Sequence, residues 1–208
     1  MTDYLNIYGE QFFKRRKKFS EEQRAVGGLL QRELQLRSVV DFGCGIGTLI
    51  QGMRDGGCTI LGVEHSVQLA RRYSPIPEKL VAGDVTKPLS LGRHDWSMCI
   101  EVAEHVPPTA SAQLVANLAS HCIRGVIFSA AVPGQKGIGH INCQPPEVWQ
   151  DLFHSHRLDY SRELTDRLRK LVAPFTQLPW LKQNLMIFQS GGFGEAFGVA
   201  ANLSSSPK

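Results

Sequence analysis

Two groups of residues in this 208-residue chain are of types and spacings that do chemistry. The first is Asp41-Phe42-Gly43-Cys44-Gly45-Ile46-Gly47, three alternating glycines behind an acid. Glycine allows positive φ in a turn, or close approach of backbone to a bound molecule. The N–H groups of such a loop, together with the helix start behind it, suit a polar or anionic part of a ligand. The second group is Glu101, Glu104 and His105, at i, i+3 and i+4, with His140 in a later glycine-rich stretch. A single helical turn would put the first three on one face. With His140 they would then converge as two carboxylates and two imidazoles around a divalent ion. That donor set suits Mn, Fe, Co or Zn, and Mg where water completes the shell. Without a metal, His105 or His140 is a base for an oxygen nucleophile.

The elements around the glycines follow from local pattern. Ser38-Val39-Val40 is a β-branched run leading to Asp41, and Leu49, Ile50 and Met53 continue behind the loop as an amphipathic helix that Gly56-Gly57 should end. A second strand, Thr59–Val63, runs into Glu64, about twenty residues past the loop, where a doubly wound fold places a carboxylate on a ribose. His65 then borders the ribose or adenine. The third unit, Lys79–Val85, ends in Asp84, an acceptor for an adenine amino group, beside the amide and apolar side chain of Val85. Three successive strands ending in Asp41, Glu64 and Asp84 would line one edge of a parallel sheet, where ligands bind. The spacing counts against a dinucleotide, because G-x-G-x-x-G requires glycine where Thr48 stands.

Asp95–Ile100 reads as a buried fourth strand running into the charged turn at Glu101–Pro108. A helix over about Thr109–Cys122 and a fifth strand over Gly125–Ala130 follow. The loop Val132–Asn142 is too glycine-rich for regular structure; Gln135, Lys136, Asn142 and Gln144 in and beside it are candidates for orienting a hydroxylated substrate. Pro145-Pro146-Glu147 starts a helix, Leu158–Tyr160 reads as a short strand, Ser161–Val172 as a basic helix and Leu185–Phe188 as the last strand. Residues 1–36 form a helical cap, with Lys14–Lys18 as a solvated face rather than a phosphate patch. Residues 37–189 form one domain, and 190–208, rich in Gly, Ala and Ser, a disordered tail. Trp96, Trp149 and Trp180 are read as core; His94, His121, His154 and His156 as surface or packing.

The composition, 42% hydrophobic with a formal charge of +4, supports one α/β core and permits an anionic partner without demanding one. No apolar run approaches a membrane span, and Met1 is followed by polar residues rather than a signal peptide. Cys44, Cys58, Cys99, Cys122 and Cys143 show no C-x-x-C spacing, which reads as free thiols in a cytoplasmic protein.

The D-x-G-x-G-x-G loop, then Glu101–Pro108 as E-V-A-E-H-V-P-P, Ser129–Asn142 with its P-G-Q-x-G-x-G-H-x-N, and Gln183-Asn184-Leu185 occur in an order that resembles the class I S-adenosylmethionine (SAM) methyltransferases, in the broad group that includes the ubiquinone-pathway O-methyltransferases. The resemblance implies an α/β, Rossmann-like doubly wound sheet of seven strands, mostly parallel with the last antiparallel. It implies that Asp41, Gly43, Cys44, Gly45 and Gly47 hold the methionine part of SAM, Glu64 the ribose and Asp84 with Val85 the adenine, while Glu101 meets the cofactor amine. E-x-x-E-H with a later His also resembles the metal site of small-RNA 2′-O-methyltransferases. The expected function is SAM-dependent O-methylation of a small hydroxylated metabolite, with an RNA ribose 2′-O-methyltransferase and a non-catalytic SAM-binding protein as the alternatives.

Overall fold

The computed structural model describes residues 8–191. The segment 1–7 of the expected cap and 192–208 of the expected tail lie outside the described residues. A short helix α1 (Glu10–Arg16) leads through a 3-10 turn into α2 (Ser20–Leu34). Then come β1 (Ser38–Phe42), α3 (Thr48–Asp55), β2 (Thr59–Glu64), α4 (Val67–Tyr73), β3 (Leu80–Ala82) and β4 (His94–Ile100). The second half runs α5 (Ser111–His121), β5 (Cys122–Ser129), α6 (Pro146–His154), β6 (Leu158–Tyr160), α7 (Arg162–Val172), α8 (Leu181–Asn184) and β7 (Met186–Ser190).

The seven strands form one sheet in the order β3-β2-β1-β4-β5-β7-β6. Strands β1 to β5 pair in parallel, and β7 lies antiparallel between β5 and β6. Successive residues of a strand face opposite sides, and the sequence supplies apolar side chains to both. Val39, Ile127 and Ile187 face α1, α2, α3, α4 and α7, while Val40, Val126, Phe128 and Phe188 face α5 and α6. The doubly wound expectation holds. The first helices are part of this core, since Phe13, Val26, Leu30 and Leu34 are buried among its residues. Each contributes about 1.5–3 kcal/mol by burial.

Helices α2 and α3 touch backbone to backbone. A Cβ on Gly27 would meet the Leu49 carbonyl oxygen at 1.9 Å, and one on Gly52 would meet that of Arg24 at 1.9 Å. The two glycines are reciprocal, each admitting the other helix's main chain.

Three local expectations are corrected. Gln183-Asn184 belongs to the helical turn α8, and the last strand begins at Met186. The 65–78 stretch, given no element in the sequence reading, holds α4. Glu101, Glu104 and His105 do not share a helical turn: Glu101 follows β4 in the left-handed region (φ 54°), and only Ala103–His105 form a 3-10 turn. All five cysteines are free, as expected. No helix among the described residues is long and apolar enough to cross a membrane.

Candidate active site

The C-terminal ends of β1 to β4 open into a cavity of about 390 Å³, within the size range of small-molecule sites. Asp41, Gly43, Cys44, Gly45, Glu64, His65, Asp84, Val85 and Glu101 all line it. The glycine loop is tied to β2 by the N–H groups of Gly43 and Cys44, which both donate to the Val63 carbonyl at 2.8 and 3.0 Å. Gly43 has φ 82°, and a Cβ there would meet the Val102 side chain at 2.5 Å. Gly45 has φ 57°, with nothing within 4 Å of its missing side chain. It leaves room for close backbone approach to a ligand. Gly47 is corrected: it lies behind the loop at the start of α3, packed on Ile76 and Leu80, and does not line the cavity.

Glu64 braces that loop. Its Oε2 accepts from the Gly45 N–H at 3.1 Å and its Oε1 from the Ser66 N–H at 2.9 Å. Burial nevertheless holds its carboxyl above the usual range. Burial also pushes Asp41 up to about 8, with the Glu64 charge adding to it, and raises the Cys44 thiol well above its ordinary value, which removes Cys44 as a nucleophile. Asp84 goes the other way: its burial is outweighed by the Thr86 hydroxyl and N–H, both donating to Oδ1 at 2.6 and 2.9 Å. The loop carrying Val85 is clamped by buried Asn117, whose Nδ2 donates to the Val85 and Lys87 carbonyls at 2.9 and 2.8 Å.

Of the second group, Glu104, His105 and His140 come together. His105 lines the cavity; Glu104 and His140 stand behind it. The two imidazole rings are 5.0 Å apart. The Nδ1–H of His105 points at the Gly139 carbonyl at 3.1 Å, and that of His140 at the Gln135 carbonyl at 3.1 Å. Each backbone acceptor thereby makes Nε2 the lone-pair nitrogen. Glu104 is fully buried, and neither of its carboxyl oxygens has a hydrogen-bond partner among the described residues. Burial, and then the Glu101 charge, push it up to about 8. Burial pushes His105 down to about 4. Burial thus disfavours the charged form of both groups where His105 Nε2 approaches Glu104 Oε1 at 4.0 Å.

One ligand atom each from Glu104, His105 and His140 lies within 4.8 Å of the others. Glu101 falls outside this group, so the expected four-ligand set becomes three. An orphaned buried carboxyl and two imidazoles with backbone-fixed Nδ1 atoms are a donor set that fits a divalent ion.

None of the four substrate candidates lines the cavity. Asn142 is buried, its Nδ2 donating to the Ala103 carbonyl and Ser111 Oγ at 3.1 and 2.9 Å. Gln144 donates to Asn142, Gln135 accepts from Asn184, and Lys136 is exposed. A loop that must cover Glu104 uses its own amides to hold its shape.

The missing wall comes from residues the sequence reading gave to other work. Tyr8, Phe12, Arg16, Gln23 and Trp180 line the cavity, the Tyr8 ring 5.7 Å from His105. Within Lys14–Lys18 the other four basic residues are exposed, whereas Arg16 turns inward with its guanidinium 4.6 Å from the Phe12 ring centroid. It forms no ion pair among the described residues. The i, i+4 spacing of Phe12 and Arg16 was the available signal. Trp96 and Trp149 are core, as expected.

No protein-family model matches the chain. A stretch of 91 aligned residues is 32% identical to the ubiquinone biosynthesis O-methyltransferase of Bordetella avium (strain 197N), covering 38% of this chain and 36% of that protein. The protein of the same description from Alkalilimnicola ehrlichii is 35% identical over 91 residues, 38% of this chain and 35% of that protein. The matched stretch thus spans about a third of the length of these curated relatives. Among solved structures, magnesium protoporphyrin IX methyltransferase from Synechocystis PCC 6803 with bound S-adenosylhomocysteine (SAH) is similar at a TM-score of 0.58 and 16% identity, over 84% of this chain and 83% of that one. The fold is that of the class I methyltransferases. In this methyltransferase fold the cavity lies where the topology puts a ligand, at the C-terminal strand edge.

The buried acids give the ligand-free protein a definite pH response. A carboxyl raised in the fold contributes stability that is full below its unfolded value and lost as pH rises through the folded one. Asp41 and Glu104, both near 8, therefore remove stability as the medium becomes alkaline. His105, depressed to about 4, acts oppositely, but only below its unfolded value of about 6.5. The melting temperature without ligand should fall between about pH 6.5 and 8. A flat or rising Tm over that window, measured by calorimetry, would show both carboxyls ionised in the fold.

Proposed function

We propose that this chain is a SAM-dependent methyltransferase that moves the methyl group to an oxygen of a small hydroxylated acceptor. The observation that carries this reading is that Asp41, Gly45, Glu64 and Asp84 line the same cavity as His105. Glu64 takes the ribose hydroxyls, Asp84 and Val85 the adenine, and the loop from Asp41 to Gly45 the methionine half. Glu101 receives the ammonium and Arg16, the inward cation, the carboxylate. The acceptor lies against Tyr8 and His105, whose rings are in edge contact with each other.

Transfer requires the acceptor oxygen in line with the methyl carbon and sulfur, so placement and exclusion of water do much of the work. The O–CH₃ bond forms as the S–CH₃ bond breaks, SAH leaves, and in the metal-free form the acceptor proton passes to His105 Nε2. A divalent ion held by Glu104, His105 and His140 would occupy that nitrogen and replace its role as base, supplying Lewis acidity that lowers the acceptor hydroxyl's pKa so that the proton leaves to solvent.

The test is calorimetric titration of chelator-treated protein with SAH, repeated with Mg, Mn or Zn added. Micromolar binding supports the cofactor assignment; a folded sample that gives no heat defeats it. Metal binding lost in Glu104→Ala supports the metal-assisted form, and no metal binding leaves His105 as a base alone. Arg16→Met is expected to weaken SAH about tenfold or more. The same variant should leave 5′-methylthioadenosine, which lacks the carboxylate, unchanged; equal losses for both ligands would remove Arg16 from that role.

A further inference from the structure

Asn184 closes α8 just before β7 and is 3% exposed. Its Nδ2 donates to Glu101 Oε1 at 3.2 Å and to Gln135 Oε1 at 3.1 Å. The same Gln135 oxygen accepts the Val132 N–H at 3.3 Å, which fixes the orientation of the Gln135 amide and obliges Asn184 to present its NH₂ group. The Gln135 main-chain carbonyl accepts from His140 Nδ1. A continuous path of bonds therefore runs from Glu101, on the cavity, through Asn184 and Gln135 to His140. The other oxygen of this amide, Asn184 Oδ1, is buried without a partner among the described residues. Such an orphan costs about 1–3 kcal/mol. What the NH₂ group holds, rather than stability, accounts for an amide at this place.

We propose that Asn184 is a positioning residue that couples occupancy of the cofactor end of the cavity, sensed at Glu101, to the placement of the 132–142 segment and its His140. The proposal rests on the methyltransferase reading for the contact between Glu101 and the cofactor. A ligand ammonium on Glu101 fixes that carboxylate; the bidentate NH₂ of Asn184 then fixes Gln135, and the Gln135 carbonyl fixes the His140 ring. Both sides of the reaction are thereby ordered together, although Asn184 itself lines no part of the cavity.

Amide hydrogen exchange of the full chain, with and without saturating SAH, tests this directly. In the unaltered protein SAH should slow exchange at both 43–47 and 135–142. In Asn184→Ala it should still protect 43–47, while protection at 135–142 falls about tenfold, as expected for losing a hydrogen bond to a charged group. Asn184→Asp keeps the size but replaces the donor by an acceptor, so it should uncouple the segments as alanine does; a purely steric role would leave it like the unaltered protein. Gln135→Ala cuts the same path from a partly exposed loop and should give the same pattern without touching the core. Full protection of 135–142 in SAH-saturated Asn184→Ala and Gln135→Ala overturns the proposal, as does protection of 43–47 alone in the unaltered protein. Failure of the methyltransferase reading looks different: no binding heat and no protection at 43–47, which takes the premise of the coupling with it.

Discussion

Glu64→Ala is expected to lower SAH affinity by about a hundredfold or more, the loss of two charge-assisted hydrogen bonds. The effect is large because the carboxylate has two duties. Facing the cavity, it has, under the proposed assignment, the ribose hydroxyls as its partners. At its back, Oε2 holds the Gly45 N–H and Oε1 the Ser66 N–H, so alanine also releases the loop that wraps the rest of the ligand. Glu64→Gln separates the two duties. Glutamine keeps the size, yet its NH₂ group must face one of two backbone N–H donors, so it should lose nearly as much as alanine. Calorimetry with SAH and with adenosine reads the outcome. If Glu64→Gln binds SAH within about threefold of the unaltered protein, the backbone brace is not what makes this position critical.

Gly52→Ala should be, like Gly27→Ala, a damaging small substitution in the scaffold. Its methyl would stand 1.9 Å from the Arg24 carbonyl oxygen, and a backbone atom gives way only if the helix moves. Overpacking of this kind costs about 1–3 kcal/mol, and here the upper end applies. The gain in helix propensity offsets about 1 kcal/mol of it. A Tm loss of about 5 °C follows for a chain of this size. Gly28→Ala is the control: its nearest neighbours, at 3.5 and 3.6 Å, are ordinary contacts, so propensity alone should raise Tm slightly. Because α3 starts at the glycine loop, the displacement in Gly52→Ala should also weaken SAH binding. A Gly52→Ala protein as stable as Gly28→Ala would mean that the helices are less tightly apposed than their backbones indicate.

Period and punctuation made the sheet legible in the sequence. Val39-Val40-Asp41, Thr59–Glu64 and Leu158–Tyr160 are short, bounded by turn residues, and lie where they were expected. That Asp41, Glu64 and Asp84 line one cavity was legible because they stand at strand ends, and a strand end is a local fact. The rest of the lining was not. Arg16 looked like one lysine-rich run among solvated neighbours, and nothing local says that one of five basic side chains turns inward. Asn142 and Gln135 looked available because they are polar and near the site; only the folded loop shows that their hydrogen bonds are taken by Ala103, Ser111 and Asn184. The E-x-x-E-H spacing misled for a related reason: helical periodicity applies only inside a helix, and the backbone turns left-handed at Glu101.

The place of β7 between β5 and β6 has a consequence for the chain as it is synthesised. Among the described residues strand β6 pairs with the sheet through β7 alone, which is made about twenty-five residues later. Until Met186–Ser190 has left the ribosome, Val126, Ile127 and Phe128 present an open parallel edge with apolar faces, and β6 has nothing to dock on. Such an edge invites pairing with another chain. The nascent domain therefore depends on β7 to cover this edge, and translation that stalls between α7 and β7 should leave an aggregation-prone fragment needing a chaperone's protection.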